Sequence, residues 1–241
     1  MFDTKMNSVE KNIRLNFVWA YIGKNTTGKT PTAIYNAKIW QKAKPKHKLI
    51  VFDSQDKFFQ AHKRGEIRVD ILLDINNKQW AEMLAEYTES KIGEKKYKYA
   101  NSLVILDDYR MLCRGNDMSP AFYSLLSLRE KINMDFKIIC HMPRNILEGL
   151  AGFITHYSIF ANNAHQASFE RKISCYVQCQ TATLVIKKYV ELYGRGYYDI
   201  RKKNPVFPYL NVDKENEMLE CVNMDMEKAR PILKEFTQKA S

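Results

Sequence analysis

Residues 23–30 read Gly-Lys-Asn-Thr-Thr-Gly-Lys-Thr, and this stretch decides the fold. It matches the phosphate-binding pattern G-x-x-x-x-G-K-[ST] at every position. It lies between an apolar segment of strand length, Leu15–Ile22, and a helix predicted over residues 31–42. The glycines let the backbone curl so that its N–H groups face phosphate oxygens, and the N-terminus of the following helix adds positive potential. The stretch therefore predicts a nucleotide-binding P-loop.

Every residue of this loop is a candidate ligand contact. Lys29 is predicted to reach the β- and γ-phosphates of a nucleotide, and the Thr30 hydroxyl is predicted to bind Mg²⁺. The other predicted contacts are Gly23, Lys24, Asn25, Thr26, Thr27 and Gly28. A guanine-specific protein would carry Asn-Lys-x-Asp after a strand, whereas residues 77–80 read Asn-Lys-Gln-Trp and precede a predicted helix. We therefore expect ATP, together with Mg²⁺.

A pair of adjacent acids follows a second apolar strand. Residues 104–108 read Val-Ile-Leu-Asp-Asp, so the acids stand at the edge of the sheet where the first strand also ends. Asp107 is predicted to be the carboxylate on the magnesium side of the site. Asp108 is predicted to orient or deprotonate the attacking water.

Apolar runs of strand length alternate with helical patterns, which is typical of an α/β protein with a central, mostly parallel sheet flanked by helices. Strands are predicted over residues 15–22, 49–52, 102–106, 136–140 and about 155–160, and helices over 79–90, 121–131 and 146–151. The pattern after residue 165 is weaker. It indicates a helix within 173–192, a short strand within 194–201 and a last helix near 226–238. Because residues 204–208 contain two prolines, we divide the chain into a P-loop domain, 1–204, and a helical C-terminal extension, 205–241.

The charge balance indicates a polyanionic partner. The 241 residues include 38 Lys and Arg against 27 Asp and Glu, a formal net charge of +11, and the isoelectric point is near 9.3. This composition suits nucleic acid. Basic residues cluster within 38–48, within 91–99, and within 187–203, where they alternate with tyrosines. The second cluster is the predicted nucleic-acid contact, through Lys91, Lys95, Lys96 and Lys98; a solvated basic face is the alternative for each cluster.

Composition also excludes several classes of protein. Hydrophobic residues make up 45% of the chain and charged residues 27%, so a disordered chain is excluded. No run of 18 apolar residues occurs, so no membrane span is expected. The first 14 residues lack an apolar signal core, and five cysteines spread over the chain suit reduced thiols. We therefore expect a cytoplasmic location.

From Arg129 onward the sequence resembles the FtsK/HerA group of P-loop DNA-pumping ATPases. In that group an arginine precedes the fourth strand, this strand ends in Thr-Gln-Arg-Pro, and a short helix and another strand follow. Here Arg129 precedes a strand that ends in Cys-His-Met-Pro at residues 140–143, followed by a short helix and a strand ending at Phe160. Residues 49–53, Leu-Ile-Val-Phe-Asp, resemble the group's second strand. The resemblance covers about residues 15–162 and implies an additional-strand, RecA-like P-loop NTPase.

The resemblance also implies roles for residues outside the P-loop. The strand that ends at His141 would lie between the strands that end at Gly23 and Asp107, and His141 would sense the γ-phosphate. Arg129 would act as a finger in the site of a neighbouring subunit, which requires a ring. The residues alone leave open that Arg129 is a solvated helix residue. Two positions depart from the group: His141 replaces the usual Gln, and Asp108 replaces the usual catalytic Glu.

Small members of this group without membrane segments or extra domains resemble viral genome-packaging ATPases. The resemblance therefore implies ATP hydrolysis coupled to translocation of double-stranded DNA by a homo-oligomeric ring. A viral capsid or portal would be the partner, no membrane would be involved, and the location would be the host cytoplasm or the virion vertex. Two alternatives stay open, a P-loop phosphotransferase that acts on a small molecule and a nucleotide-switched virion assembly factor.

Overall fold

The computed structural model describes residues 16–74, 100–108, 120–143, 146, 148–162 and 173–237. The helix predicted over residues 79–90 lies outside these ranges. The four lysines predicted to contact DNA, Lys91, Lys95, Lys96 and Lys98, also lie outside them. Both of these expectations stay predictions.

A central sheet of eight strands dominates the structure, and a separate two-stranded hairpin lies beside it. The strands in chain order are β1 (Val18–Ile22), β2 (Lys48–Asp53), β3 (Ile71–Asp74), β4 (Ser102–Asp107), β5 (Met134–Cys140), β6 (His156–Ile159), β7 (Tyr197–Asp199), β8 (Asn204–Val206), β9 (Tyr209–Asp213) and β10 (Met218–Val222). The sheet order is β10-β9-β6-β1-β5-β4-β2-β3. Strands β1 to β6 run parallel to one another, whereas β9 is antiparallel to β6 and β10 to β9. Strands β7 and β8 form the hairpin.

Helices cover both faces of the sheet, which is why the central strands are mostly apolar and almost completely buried. The described helices are α1 (Lys29–Ala43), α2 (Lys57–Lys63), α3 (Pro120–Leu128), α4 (Glu148–Ala151), α5 (Tyr176–Tyr193) and α6 (Met226–Thr237). Helices α1 and α2 pack on one face. Helices α3 to α6 pack on the other. Strand β1 contributes to the apolar core on both faces of the sheet. Val18, Ala20 and Ile22 face the helices α3 to α6, and Tyr21 faces α1 and α2.

The buried carboxylate of Asp135 ties the start of the sheet to α1. It accepts hydrogen bonds from the backbone N–H groups of Asn16 and Phe17, at 2.6 and 3.1 Å. It also accepts hydrogen bonds of 2.8 Å from Trp40 Nε1 and from Lys44 Nζ. A carboxylate buried in the sheet is tolerated only with partners of this kind. The contacts fix β1 and α1, the two elements that flank the P-loop.

The structure confirms the fold class predicted from the sequence, an α/β P-loop fold with a mostly parallel sheet flanked by helices. Strand β5, which leads to His141, pairs with β1 on one side and β4 on the other, as the resemblance implied.

The segment 205–241 differs from the expectation of a helical extension. Its last helix, α6, was predicted, but residues 209–222 form β9 and β10. These strands extend the main sheet because β9 pairs with β6, for example Leu210 with Ile159. A pairing partner so distant along the chain leaves no local sequence signal, which is why the strands were missed.

Candidate nucleotide-binding site

The P-loop connects the end of β1 to the start of α1, and the ends of two neighbouring strands hold it. The N–H of Gly23 donates to the carbonyl of Cys140 at the end of β5 (3.3 Å), and the N–H of Lys24 donates to the carbonyl of Ala161 just after β6 (3.0 Å). A Cβ at position 23 would lie 2.6 Å from the Cβ of Phe160, so only glycine fits there. The loop is therefore anchored at its start by both neighbours of β1.

The other end of the loop depends on Gly28. This residue precedes the first residue of α1 with φ of 95°, a left-handed conformation that glycine adopts without strain. A Cβ at this position would lie 2.1 Å from Cγ of Phe207, since the ring of that residue packs against the glycine. Phe207 belongs to the connection between β8 and β9, so a remote segment of the chain supports the P-loop.

The loop presents free donors where phosphates would bind. Among the described residues, none accepts a hydrogen bond from the backbone N–H groups of 25–30. The side chain of Lys29 is only 5% exposed, and its Nζ donates to the carbonyls of Gly23 and Lys24, both at 2.7 Å. The Thr27 hydroxyl donates to the same Lys24 carbonyl at 2.8 Å. Lys29 thus lies inside the curl of the loop that its predicted ligand would enter.

Asp107 ends β4 in a buried cluster of polar side chains. It is 4% exposed and accepts a hydrogen bond of 3.3 Å from the hydroxyl of Ser54. Burial, and after it the charge of Asp53, raise the pKa of Asp107 to about 6, although the charge of Lys57 opposes the rise. The structure therefore makes Asp107 a carboxylate whose ionisation is costly without a cation beside it.

Lys29 and Asp107 lie close enough to influence each other electrostatically. Burial lowers the pKa of Lys29 to about 8, while the charges of Asp107 and Asp108 favour its protonated form. The two residues come from adjoining parts of the sheet edge, because β5 alone separates β1 from β4. The structure thus brings together two residues that the sequence predicted to share a site.

Asp108 and His141 form a second pair at the same edge. The distance from His141 Nε2 to Asp108 Oδ2 is 3.5 Å, and both side chains are partly exposed. The backbone of Asp108 has φ of 57°, which turns the chain sharply after β4. Nδ1 of His141 is buried and has no hydrogen-bond partner among the described residues. His141 therefore has one nitrogen directed to the carboxylate and one nitrogen without a partner in the described part of the chain.

Arg129 lies far from this edge. It precedes β5, and its Nε donates to the carbonyl of Asn16, just before β1, at 3.2 Å. Its Nη1 and Nη2 donate to Leu126 and Glu130, and the side chain is 16% exposed. The P-loop follows the other end of β1, whose five residues span roughly 16 Å. Arg129 therefore does not contact the P-loop of its own chain.

The sequence did not indicate three residues that border the site. Ser54 and Lys57 follow β2, which the structure places beside β4, and Phe207 follows the hairpin. Asp53, an acid at the end of a predicted strand, could have indicated Ser54 and Lys57. Parallel strands bring their carboxyl ends to one edge of a sheet, so residues that follow Asp53 lie near those that follow β4. Phe207 had no comparable signal.

The donor set suits a magnesium–nucleotide complex. Mg²⁺ is held in proteins by one or two carboxylates together with substrate phosphates and water. Thr30 and Asp107 are the residues that would hold it here, and the free N–H groups of the loop would take the phosphates. Within the described ranges, no cluster of three or more His, Cys, Asp or Glu residues is arranged to hold a metal alone.

The strand order, the P-loop and the acids at one sheet edge define the fold as that of a P-loop NTPase. Solved structures of viral packaging ATPases share it, which agrees with the FtsK/HerA-type resemblance seen in the sequence. The genome packaging NTPase B204 from Sulfolobus turreted icosahedral virus 2 in complex with ATP-gammaS matches with a TM-score of 0.61 and 12% identity, over 86% of this chain and 97% of that chain. Its complex with AMP matches with a TM-score of 0.59 and 14% identity, over 86% and 96%.

A third solved structure gives the same picture. B204, the DNA-packaging ATPase from Sulfolobus Turreted Icosahedral Virus, matches with a TM-score of 0.58 and 13% identity, over 86% of this chain and 97% of that chain. No protein-family model and no curated protein matches this chain. Among the helices that the structure describes, none has the length and apolar character needed to cross a membrane.

Proposed function

We propose that this protein is an ATPase that couples ATP hydrolysis to translocation of double-stranded DNA, as in viral genome packaging. The observation that carries the proposal is the placement of Lys29, at the start of α1, beside Asp107 and Asp108, at the end of β4. The fold shared with packaging ATPases supports it. The net charge of +11 supports a polyanionic cargo.

In this proposal the P-loop binds the phosphates of ATP. The N–H groups of residues 25–30 donate to the phosphate oxygens, and Lys29 exchanges its two carbonyl partners for the β- and γ-phosphates. Thr30 and Asp107 would hold Mg²⁺, and the ion would supply positive charge to neutralise the phosphates. Lys29 and Asp107 are the residues whose loss abolishes nucleotide turnover.

Asp108 and His141 act on the attacking water in this mechanism. The Asp108 carboxylate accepts the proton of the water while the water oxygen bonds to the γ-phosphorus and the bond from that phosphorus to the leaving ADP breaks. Because Asp is one methylene shorter than Glu, the water must stand closer to the strand. His141, 3.5 Å from Asp108, orients that carboxylate and donates a hydrogen bond to the γ-phosphate. Both side chains follow neighbouring strands, so one sheet edge positions the acid, the histidine and the phosphates.

Arg129 acts in a neighbouring subunit in this proposal. Its position at the opposite edge of the sheet from its own P-loop supports an action in trans. Such an action requires head-to-tail contacts, which close into a homo-oligomeric ring. The ring would hold duplex DNA, and a viral capsid or portal at the virion vertex would receive the DNA, with assembly in the host cytoplasm.

ATP turnover with and without linear duplex DNA tests the proposal. We expect turnover by the wild type to rise when DNA is added, and Lys29→Ala to lose turnover in both conditions. Turnover that duplex DNA leaves unchanged contradicts the translocase and favours a small-molecule phosphotransferase or a nucleotide-switched assembly factor. An absence of ATP turnover under all conditions contradicts the ATPase itself.

A further inference from the structure

The β7–β8 hairpin is an exposed element beside the site described above, and its Tyr198 and Lys203 line one cavity together with Thr30. In the described part of the chain, its strands pair only with each other, and the main sheet does not include them. It begins where α5 ends at Gly194, and its tip is the segment 200–203. At the tip, the Asp199 carboxylate accepts hydrogen bonds of 3.0 Å from the N–H groups of Arg201 and Lys202. The turn is therefore held in a defined conformation.

The hairpin concentrates positive charge. Residues 194–208 contain four cations and a single acid, and the carboxylate of that acid, Asp199, holds the turn. The four cations are all exposed: Arg195, Arg201, Lys202 and Lys203. A cluster of long cationic side chains on a fixed turn binds phosphate groups without reading sequence. This charge is complementary to a polyanion.

Aromatic and apolar side chains accompany the cations. Tyr197 is 61% exposed and Ile200 is 80% exposed. Tyrosine hydroxyls donate to phosphate oxygens, and an apolar side chain at a turn packs against sugar. The combination suits the backbone of a nucleic acid better than a free anion, because a small ion would leave the apolar atoms exposed.

The base of the hairpin contacts the P-loop. Phe207, the residue that follows β8, packs its ring against Gly28. Gly196, the residue before β7, comes so close to β8 that a Cβ would lie 2.2 Å from the carbonyl oxygen of Val206. The two strands are thus tightly joined next to Phe207, which contacts the residue that precedes α1.

We propose that the β7–β8 hairpin binds the phosphate backbone of duplex DNA and that Phe207 transmits this binding to the P-loop through Gly28. The inference rests on the proposed function, since it assigns a contact surface for the DNA and a route from that surface to the ATP site. Phe207 is a positioning residue in this scheme. The hairpin acts in addition to the predicted cluster at 91–98, which the hairpin variants leave unchanged.

Binding of a fluorescein-labelled linear duplex tests the contact. The triple variant Arg201→Gln, Lys202→Gln, Lys203→Gln should bind about tenfold more weakly at moderate salt. Its slope of log K against log salt should be less steep by about 2 to 3, because each lost phosphate contact removes about 0.9. The matched control is Lys228→Gln, Arg230→Gln, Lys234→Gln, which removes three exposed cations of α6, on the opposite face of the sheet. The control should keep its affinity within about twofold.

The ratio of DNA-stimulated to basal ATP turnover tests the route through Phe207. Phe207→Ala should bind the duplex as the wild type does, but its ratio should fall towards one. Phe207→Leu keeps an apolar side chain against Gly28 and should retain most of the stimulation. A purely structural role of Phe207 would lower both rates together and leave the ratio unchanged, and that result overturns the proposed route.

The outcomes separate this inference from the proposed function. If the wild type neither binds duplex DNA nor is stimulated by it, the proposed function fails and the hairpin proposal fails with it. If the wild type is stimulated and the hairpin variant still binds with unchanged affinity and salt slope, only the hairpin proposal fails. A hairpin variant that binds DNA normally but changes its oligomeric state shows that the hairpin contacts a second copy of the chain, which also overturns the proposal.

Discussion

Burial lowers the pKa of Lys29 and raises the pKa of Asp107, so both values lie closer to pH 7 than in the free amino acids. The pKa of Lys29 is lowered to about 8 and that of Asp107 is raised to about 6. Between these values both groups are charged, Lys29 as ammonium and Asp107 as carboxylate. This is the state in which one can bind phosphate and the other a metal.

We therefore expect kcat/KM for ATP to be highest between about pH 6 and 8. Below pH 6, protonation of Asp107 removes the carboxylate that holds the metal. Above pH 8, deprotonation of Lys29 removes the charge that binds the phosphates. A pH profile of kcat/KM at saturating Mg²⁺ measures both limits, each approaching about a tenfold fall per pH unit.

Removal of Mg²⁺ distinguishes the contribution of Asp107 to the pH dependence from that of Lys29. ATP binding in EDTA, measured by calorimetry, should show a flatter acidic limb, because Asp107 contributes through the metal. The basic limb should persist, because Lys29 contacts the phosphates directly. An acidic limb of the same depth without Mg²⁺ would assign it to a group other than Asp107.

Lys137 is a buried cation outside the site, and its replacement should stabilise the protein. It lies in the middle of β5, and burial lowers its pKa to about 7, which the neighbouring Asp135 only partly offsets. Lys137 has a pKa of 10.5 in the unfolded chain and about 7 in the folded chain, so between these values the unfolded chain binds more protons. The free energy of unfolding of the wild type should therefore rise as the pH rises from 7 towards 10.5. Lys137→Met removes this cost and should raise the unfolding free energy at pH 7 by about 1 to 3 kcal/mol.

Urea denaturation at several pH values measures this effect. The advantage of Lys137→Met over the wild type should shrink between pH 7 and pH 10. Lys131→Met is the matched control, because Lys131 is exposed just before the same strand, and it should change stability by less than about 0.5 kcal/mol. A Lys137→Met protein less stable than the wild type at pH 7 would mean that the ammonium has a compensating partner.

At the scale of elements, the start of α1 depends on the contact between Gly28 and Phe207. Gly28→Ala would place a side chain at φ of 95° and within 2.1 Å of the ring. We expect it to weaken ATP binding at least about tenfold and to lower stability by about 2 kcal/mol, because the backbone is strained and the ring must move. Calorimetry with ATP and thermal unfolding measure the two effects.

Gly65→Ala is the control for backbone strain alone. Gly65 has φ of 70°, but a Cβ there would meet nothing within 4 Å. The variant should lose about 1 kcal/mol of stability and keep its ATP affinity. In addition, Phe207→Ala should restore part of the ATP affinity to Gly28→Ala, since the overlap is then removed. If the Gly28 and Gly65 variants behave alike, the ring contact has no role.

The elements that the sequence predicted well are those whose signal is local. Strand β4 is a run of apolar residues ending in acids, and α1 follows a glycine-rich loop, so each could be placed without knowledge of its neighbours. Strand β9 has a mixed sequence, Tyr-Leu-Asn-Val-Asp, and becomes a strand because it pairs with β6. The prolines at 205 and 208 suggested a boundary, whereas Pro205 lies within the small hairpin.

The same distinction applies to the site. Lys29 and Asp107 were predicted to be neighbours because the parallel strands of one sheet have their carboxyl ends at the same edge. Ser54 and Lys57 enter the site only because β2 pairs with β4, and this order is not encoded in either segment alone. Phe207 reaches Gly28 from a hairpin far along the chain. Such residues can be identified only from the three-dimensional structure.

At the scale of the whole molecule, the two sheet edges carry different parts of the proposed machinery. The P-loop, the acids and His141 lie at the carboxyl ends of the parallel strands. Arg129 lies at their amino ends, beside Asn16. In the proposed mechanism, each site would be completed by a neighbour that presents its amino edge, and repetition of that contact around a closed ring would give each site one arginine.

Mixing two inactive variants tests whether the site is shared. Lys29→Ala disables the P-loop of its own chain, and Arg129→Ala disables the neighbour's site, so each variant alone should lack DNA-stimulated ATP turnover. In a mixed ring, a Lys29→Ala subunit donates its intact Arg129 to the intact P-loop of an Arg129→Ala subunit. Random assembly of equal amounts makes about a quarter of the sites complete, so turnover should return to about that fraction of the wild-type rate.

Mixing Lys29→Ala with the double variant Lys29→Ala, Arg129→Ala is the control and should restore nothing, because no P-loop is intact. If Arg129→Ala alone is fully active, or if the first mixture stays inactive although the subunits exchange, Arg129 does not act across the subunit contact, and its bonds to Asn16, Leu126 and Glu130 are its role.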